Sequence, residues 1–202
     1  MRKQFNITGL FYEDQGYKFR KFLNIKKNNS VKKNPDLMVV MMNPGSSRPI
    51  DGIENNIVET DAIPDRTQDQ IMRVMINCDF DFARVLNLSD LREPKSSILY
   101  SKFEELKKLK ISHSIFDIER KQDFEELFVK DIPVIYAWGV SKKLEKLAKM
   151  TIKRIGVKKP IGLKKEGVDY AYYHPLPQNY NKQKEWVKNI TEIISFNNID
   201  TK

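Results

Sequence analysis

Four short apolar runs, separated by segments with helical spacing, organise most of this chain. They cover residues 37–42, 82–88, 133–138 and 168–173. Continuous apolar runs of this length, rich in β-branched and aromatic residues, are typical of strands that are buried on both faces. The first run stops at Asn43-Pro44-Gly45, because proline lacks a backbone donor and glycine tolerates the positive φ of a tight turn. We therefore predict four buried strands, with 37–42 as the central one.

Between these runs, apolar residues recur every three or four positions, which is typical of amphipathic helices. The pattern predicts a helix that begins at Asp65 or Thr67, helices over about 96–109 and 121–130, a helix that begins at Ser141, and a final helix that carries Trp186. Strands that alternate with helices indicate a parallel sheet covered on both faces. The expected fold is therefore α/β, a three-layer α/β/α domain with a four-stranded parallel sheet.

Two segments do not follow this alternation. Residues 1–36 are basic and show only half-exposed strand patterns, at 9–12 and 17–22, so we expect an N-terminal extension that packs on a single domain of residues 1–202. Residues 48–66 form a long stretch rich in Pro, Asp, Asn and Gly. Loops of this length inside a domain are usually functional or disordered.

The ends of the predicted strands carry the candidate chemistry. If the four strands are parallel, Asn43, Asn87, Gly139 and His174 meet at the edge where open α/β sheets bind ligands. Carboxamides suit the edge of a nucleobase, and a neutral imidazole can donate to an oxygen that gains charge. Each residue also has an ordinary structural interpretation, because asparagines satisfy turn backbone and His174 can be a packed histidine.

Composition narrows the classes of function. The net charge is +9, from 36 basic and 27 acidic residues, which favours polyanionic partners such as DNA or RNA. Cys78 is the only cysteine, which excludes an internal disulfide and a cysteine-built zinc or iron–sulfur site, and we expect no metal or cofactor. No apolar run approaches membrane-spanning length and the start lacks an apolar leader, so we expect a cytoplasmic protein without membrane contact.

In chain order, these motifs resemble the uracil-DNA glycosylase superfamily over roughly residues 37–190. The strand ending in Asn43-Pro44-Gly45 is similar to the first motif, in the asparagine form of the mismatch-specific thymine/uracil branch. Residues 85–88, followed by 92–94, resemble the middle strand, and residues 134–139 resemble the strand that ends in Trp-Gly. His174-Pro175-Leu176-Pro177 resembles the closing motif His-Pro-Ser-Pro. The series also resembles an uncharacterised bacterial and phage branch.

The resemblance implies a role for each strand-end residue. Asn43 would position the attacking water, His174 would stabilise negative charge on the leaving base, and Asn87 would read the flipped base. Ser46, Ser47 and Pro175 would contact phosphates, Leu176 would wedge into the base stack, and the remaining substrate contacts would come from Pro44, Gly45 and Gly139. Two departures stand out. Asn43 replaces the aspartate of the efficient uracil-specific enzymes, and an amide cannot act as a general base; Leu176 replaces a serine.

The expected function is excision or recognition of a flipped base in DNA or another nucleic acid, by a monomer. Two alternatives stay open. One is an enzyme that acts on free nucleotides or modified nucleosides, and the other is a non-catalytic nucleic-acid-binding module that retains the base pocket. A likeness of fold does not choose between them.

Overall fold

Seven strands form one mixed sheet in the computed structural model, which describes residues 1–199. The strands are β1 (Phe5–Asp14), β2 (Tyr17–Lys27), β3 (Leu37–Met41), β4 (Arg48–Pro49), β5 (Thr60–Ile63), β6 (Phe82–Asn87) and β7 (Val134–Ala137). Their order across the sheet is β4-β5-β1-β2-β6-β3-β7. Only β6, β3 and β7 run parallel to one another, and every other pairing is antiparallel.

Helices cover both faces of this sheet. They are α1 (Arg66–Asn77), α2 (Ser96–Lys108), α3 (Lys121–Leu127), α4 (Glu145–Ile155) and α5 (Tyr180–Ile199). All five residues of β3 are buried, and they alternate between two cores. Leu37, Val39 and Met41 pack with α1 and α5, whereas Met38 and Val40 pack with α3 and α4. The fold is therefore α/β with helices on each side of the sheet, and none of the helices described is long and apolar enough to cross a membrane.

The prediction of a four-stranded parallel sheet is wrong. Residues 168–173 do not form a fourth parallel strand beside the other three; Tyr172 makes only isolated antiparallel bridges, to Gly139 and Lys164. The place beside β7 is taken by Ile161, whose amide donates to the Val134 carbonyl oxygen (2.9 Å) and whose carbonyl accepts from the Tyr136 amide (2.8 Å). Residues 168–173 pair instead with the segment around 163–165.

The expected N-terminal extension is instead part of the sheet. The hairpin β1–β2 lies between β5 and β6, and its apolar residues enter the same cores as β3. Its half-exposed pattern arises because buried residues alternate along most of β1 with exposed or half-buried ones. The long stretch 48–66 contributes the short strands β4 and β5, which extend the sheet beyond β1.

A β-bulge in β2 decides where one charged side chain points. Leu10 pairs with Phe22, but the next residue, Phe11, pairs with Arg20, so Lys21 is an extra residue in β2. Bulges of this kind re-aim side chains. Phe19 and Phe22 therefore share the face that α2 and α3 cover, and Arg20 turns towards the opposite face.

The predicted helices are confirmed with small shifts at their ends. Asp65 caps α1: its side chain accepts from the backbone amides of Thr67 (2.7 Å) and Gln68, while the Gln68 side chain accepts from the Asp65 amide. This reciprocal pair is a capping box. Ser141 precedes a 3₁₀ turn, Lys142–Leu144, that leads into α4. The helix expected over 121–130 ends earlier, at Leu127, because the chain becomes extended at Phe128.

Candidate functional site

Parallel pairing brings three of the four candidate strand ends to one edge. Met41 of β3 lies opposite Asn87 on one side and Ala137 on the other, so Asn43, Asn87 and Gly139 follow at the same edge of the sheet. His174 comes to this edge by a different path. The Gly139 amide donates to the Tyr172 carbonyl oxygen (2.7 Å), which holds the segment leading to His174 beside the end of β7.

Asn43 joins two of these strand ends. Its amide Nδ2 donates to the backbone carbonyl oxygens of Leu91 (3.2 Å) and Glu93 (2.8 Å), in the loop after β6. This is the structural use of asparagine in a turn, and it also fixes the carboxamide orientation, because the amide oxygen must then point away from that loop. A fixed amide oxygen is suited to orienting a polar ligand or a water molecule.

Asn87 is fully buried below the edge. In the amide orientation that satisfies its neighbours, Asn87 Nδ2 donates to the Asn43 carbonyl oxygen (3.3 Å) and Asn87 Oδ1 accepts from Arg20 Nη2 (3.2 Å). Both halves of this carboxamide are thus used inside the protein. Full burial and these two hydrogen bonds fit a role for Asn87 in supporting Asn43 from below, and its predicted role in reading a base stays a prediction.

His174 is held as a neutral donor. Its Nδ1 accepts from the Leu176 amide (3.1 Å), so in the neutral ring the proton sits on Nε2. Burial lowers the pKa of His174 below its ordinary value, although the charge of Asp65 opposes this change. The ring therefore stays neutral at physiological pH and presents Nε2–H as a hydrogen-bond donor.

Helix α5 fixes the turn that carries this imidazole. Trp186 Nε1 donates to the Tyr173 carbonyl oxygen (3.0 Å), one residue before His174. Gln183 Nε2 donates to the Pro177 carbonyl oxygen (2.7 Å), three residues after it. Both anchoring side chains are buried, so the histidine turn is fixed on each side by the body of the domain.

Asp65 brings a carboxylate close to the first turn, although its sequence signal indicated only a helix cap. Gly45 adopts φ +63°, and a Cβ at that position would lie 2.6 Å from Asp65 Oδ2. Only glycine therefore allows this approach of the turn to the carboxylate. The charge of Asp65 raises the pKa of both His174 and Arg20, which places the carboxylate near both side chains.

Beneath the edge lies a cluster of buried charged groups that no motif indicated. Arg20 is fully buried with Nε and Nη1 unpartnered, and burial lowers the pKa of its guanidinium to about 10. Asp90, also fully buried, forms a salt bridge with Arg120 and accepts from Tyr12 (3.2 Å). The bulge at Lys21 turns Arg20 inward, and a bulge cannot be recognised from a hydrophobic pattern.

The remaining predicted contacts differ in accessibility. Ser46 is exposed, whereas Ser47 is fully buried, with its hydroxyl lacking a hydrogen-bond partner. Pro44 and Pro175 are buried and Leu176 is half-buried. Ser46 can therefore reach a phosphate directly, while Ser47 and the two prolines shape the turns.

One of the two basic stretches expected to bind nucleic acid is far from this edge. The Lys27 amide donates to the Asp81 carbonyl oxygen (2.8 Å), which puts residues 26–33 at the start of β6, the opposite end of the parallel strands. Lys27 pairs with Asp79 and Asp81, and Lys32 pairs with Asp36 and Asp81. The stretch 158–165 instead runs alongside β7, from Ile161 towards the candidate edge.

Two cavities on the surface of the domain lie away from the strand ends. The larger one, the α2–α4 groove, has a volume of about 970 Å³ and a floor formed by Phe103, Ile111, Phe116, Leu147 and Met150. The smaller one, about 440 Å³, lies between α1 and α5. Within residues 1–199, no three His, Cys, Asp or Glu side chains come together in a way that could hold a metal ion.

Comparison with known proteins gives no relative for this chain: no family model, no curated protein and no solved structure matches it. The resemblance to uracil-DNA glycosylases therefore depends on the four sequence motifs alone and stays a prediction.

Proposed function

We propose that this protein acts on a nucleobase at the edge formed by the ends of β3, β6 and β7, as an N-glycosylase of DNA or another nucleic acid. The observation that supports this most is the neutral His174 ring, with its proton on Nε2 and its turn anchored from both sides. A base that leaves from a sugar takes the electron pair of the glycosidic bond and becomes negative. A fixed neutral donor stabilises that charge without prior deprotonation.

Asp65 supplies the carboxylate that the first motif lacks. In the proposed step, the amide oxygen of Asn43 orients a water molecule, whose oxygen bonds to the anomeric carbon of the sugar. The bond from that carbon to the base breaks, its electron pair leaves with the base, and His174 donates a hydrogen bond to it. The water proton passes to Asp65, which lies against the Gly45 turn, two residues from Asn43.

A second candidate is an enzyme that acts on free nucleotides or modified nucleosides. One observation favours it specifically: the basic stretch 26–33 lies at the opposite edge of the sheet, and Lys27 and Lys32 are already paired with aspartates. An extended nucleic-acid footprint around the candidate edge would therefore have to come from other cations. A small substrate needs only the edge itself.

An excision panel tests the proposal. Oligonucleotides that carry uracil, mismatched thymine or bulky modified bases would be incubated with the protein and treated with alkali, which cleaves the strand at a base-free sugar. The same bases would be offered as free nucleosides and nucleotides, with base release followed by chromatography. We expect alkali-labile cleavage of at least one oligonucleotide. Base release from the small substrates alone would favour the second candidate. Saturable oligonucleotide binding without any product would indicate the non-catalytic module.

A further inference from the structure

The α2–α4 groove is separate from the candidate edge and has no role in the proposed chemistry. It runs between the C-terminal half of α2, the connection after it, and one side of α4. None of the residues that line it comes from a strand end. An apolar floor at the surface of a domain, framed by charge, is typical of a binding site.

The rim of the groove is basic. It carries five lysines, and in the part of the chain that the structure describes none of them forms a salt bridge: Lys107, Lys110, Lys143, Lys146 and Lys153. Three carboxylates also line the groove, those of Glu104, Asp117 and Glu119, and Asp117 accepts from Ser112 (2.9 Å). The groove therefore has a net positive charge and attracts an anionic partner.

Arg154 adds a specific donor at one end of the groove. Its guanidinium packs over the Phe124 ring, 5.0 Å from the ring centre, and its Nε and Nη2 are buried without a hydrogen-bond partner. Buried donors without partners raise the free energy of a folded protein, so a carboxylate supplied by a ligand would be favourable here.

The length of the groove fits a short helix as its occupant. The residues that α4 and the preceding turn contribute recur at spacings of three and four, from Lys143 to Arg154. This distance along a helix corresponds to about 16 Å, or three turns, which is the length of a short helix laid beside α4. A nucleic acid strand fits less well, because Phe103 is already stacked on His113 (5.0 Å) and Phe116 is fully buried, so neither ring is free to stack on a base.

We propose that the α2–α4 groove binds a short, acidic, amphipathic helix of a partner protein. The apolar face of that helix covers Leu147 and Met150, and its carboxylates meet the lysine rim and Arg154.

The test uses a labelled peptide of about twelve residues, with Leu at positions of one helical face and Glu elsewhere. Its binding to the full chain would be measured by fluorescence anisotropy at low salt. We expect saturable binding that weakens as salt rises. A double variant, Lys146→Glu with Lys153→Glu, should weaken it about tenfold or more, because two attractive contacts become repulsive. Met150→Ser tests the contribution of the apolar floor of the groove, and we expect this variant to bind the peptide more weakly as well.

The matched control is Lys158→Glu with Lys159→Glu, which makes the same change of net charge at two exposed lysines outside the groove. It should leave the affinity within about twofold, whereas an equal loss in both double variants would overturn the proposal, since overall charge would then explain the binding. Three other results would also overturn the proposal: equal affinity for a scrambled peptide, binding that does not saturate below about 1 mM, or displacement of the peptide by single-stranded DNA. Peptide binding should be unchanged by His174→Ala, which separates this proposal from the proposed function.

Discussion

The pKa of His174 is set by two effects of opposite sign. Burial lowers the pKa of the imidazole, and the negative charge of Asp65 raises it. The other histidine, His113, also has a pKa lowered by burial, but Asp117 is the carboxylate that acts on it. The chain has only two histidines, so each provides an internal reference for the other.

Asp65→Asn should therefore lower the pKa of His174 further and leave that of His113 unchanged. Asparagine caps a helix about as well as aspartate, so we expect the stability of α1 to change little. An NMR titration of both imidazole rings measures the effect. An unchanged or raised pKa of His174 would contradict the placement of Asp65 beside the site.

Asp90 shows how a buried charge depends on its partner. Burial raises the pKa of Asp90 to about 6, while Arg120 opposes that change. Arg120→Ala leaves the carboxylate unpaired, and we expect a loss of roughly 3–5 kcal/mol in the free energy of unfolding near neutral pH.

The loss should depend on pH. The unfolded chain releases the Asp90 proton above about pH 4, whereas the folded variant retains it to a pH above 6, so the folded state binds more protons in between. The free energy of unfolding of the variant should thus fall as pH rises from 4 to 8, and this fall should be larger than that of the wild type. Urea unfolding at several pH values measures this. Adding Asp90→Asn should remove the extra pH dependence; if it persists, another group is responsible.

At the scale of elements, α5 positions the turn that carries His174, through a hydrogen bond from Trp186. Trp186→Phe keeps an aromatic ring but removes the hydrogen bond to Tyr173, and we expect a loss of roughly 1–3 kcal/mol. Trp138→Phe is the matched control, because Trp138 Nε1 donates to the Tyr170 carbonyl oxygen (2.8 Å), earlier in the same segment.

Both tryptophan variants should lose comparable stability, measured by urea unfolding. Only Trp186→Phe should shift or broaden the NMR signals of His174, since the Trp138 bond lies four residues from that ring. Equal perturbation of His174 by both variants would mean that α5 has no particular role in holding the turn.

Helices and buried parallel strands were predictable because each has a local sequence pattern. Apolar residues recur every 3.6 positions on the buried face of a helix and form a continuous run in a strand that is buried on both faces. Residues 168–173 carry the same kind of run, yet Ile161 already occupies the edge of β7. Competition between two segments for one strand edge is a long-range effect that no local pattern contains. The same holds for β1 and β2, whose half-polar pattern gives no indication of a position in the middle of the sheet.

For the whole molecule, the positions of the basic residues say more about nucleic acid binding than the net charge does. The net charge of +9 suggested nucleic acid binding, but residues 26–33 lie at the wrong edge for the candidate site. Arg48, just after Ser47, and Arg66, just after Asp65, are exposed beside the site. Motifs predicted correctly that the ends of β3, β6 and β7 would meet, but His174 reaches this edge on a segment that is not a parallel strand. They could not predict Asp65, Arg20 or these cations, whose positions follow from the turn at Gly45 and the bulge at Lys21.

Arg48→Ala with Arg66→Ala should therefore weaken oligonucleotide binding and reduce the slope of log K against log salt by about 1–2, because up to two phosphate contacts are lost. Lys32→Ala with Lys33→Ala removes the same charge at the opposite edge and should leave the slope unchanged. Anisotropy titrations over a range of salt concentrations measure both. A greater effect of the lysine pair would place the nucleic acid elsewhere.

The most direct test of the account is the effect of His174→Ala on excision under single-turnover conditions, with substrate affinity measured in parallel on the substrate that the excision panel identifies. We expect the rate to fall on the order of a hundred- to a thousandfold, with affinity nearly unchanged, because the imidazole stabilises charge that exists only as the bond breaks. An unchanged His113 NMR signal would show that the variant remains folded. A folded variant that retains the wild-type rate, or that loses affinity and rate together, would contradict the assignment of His174 as the donor to the leaving base.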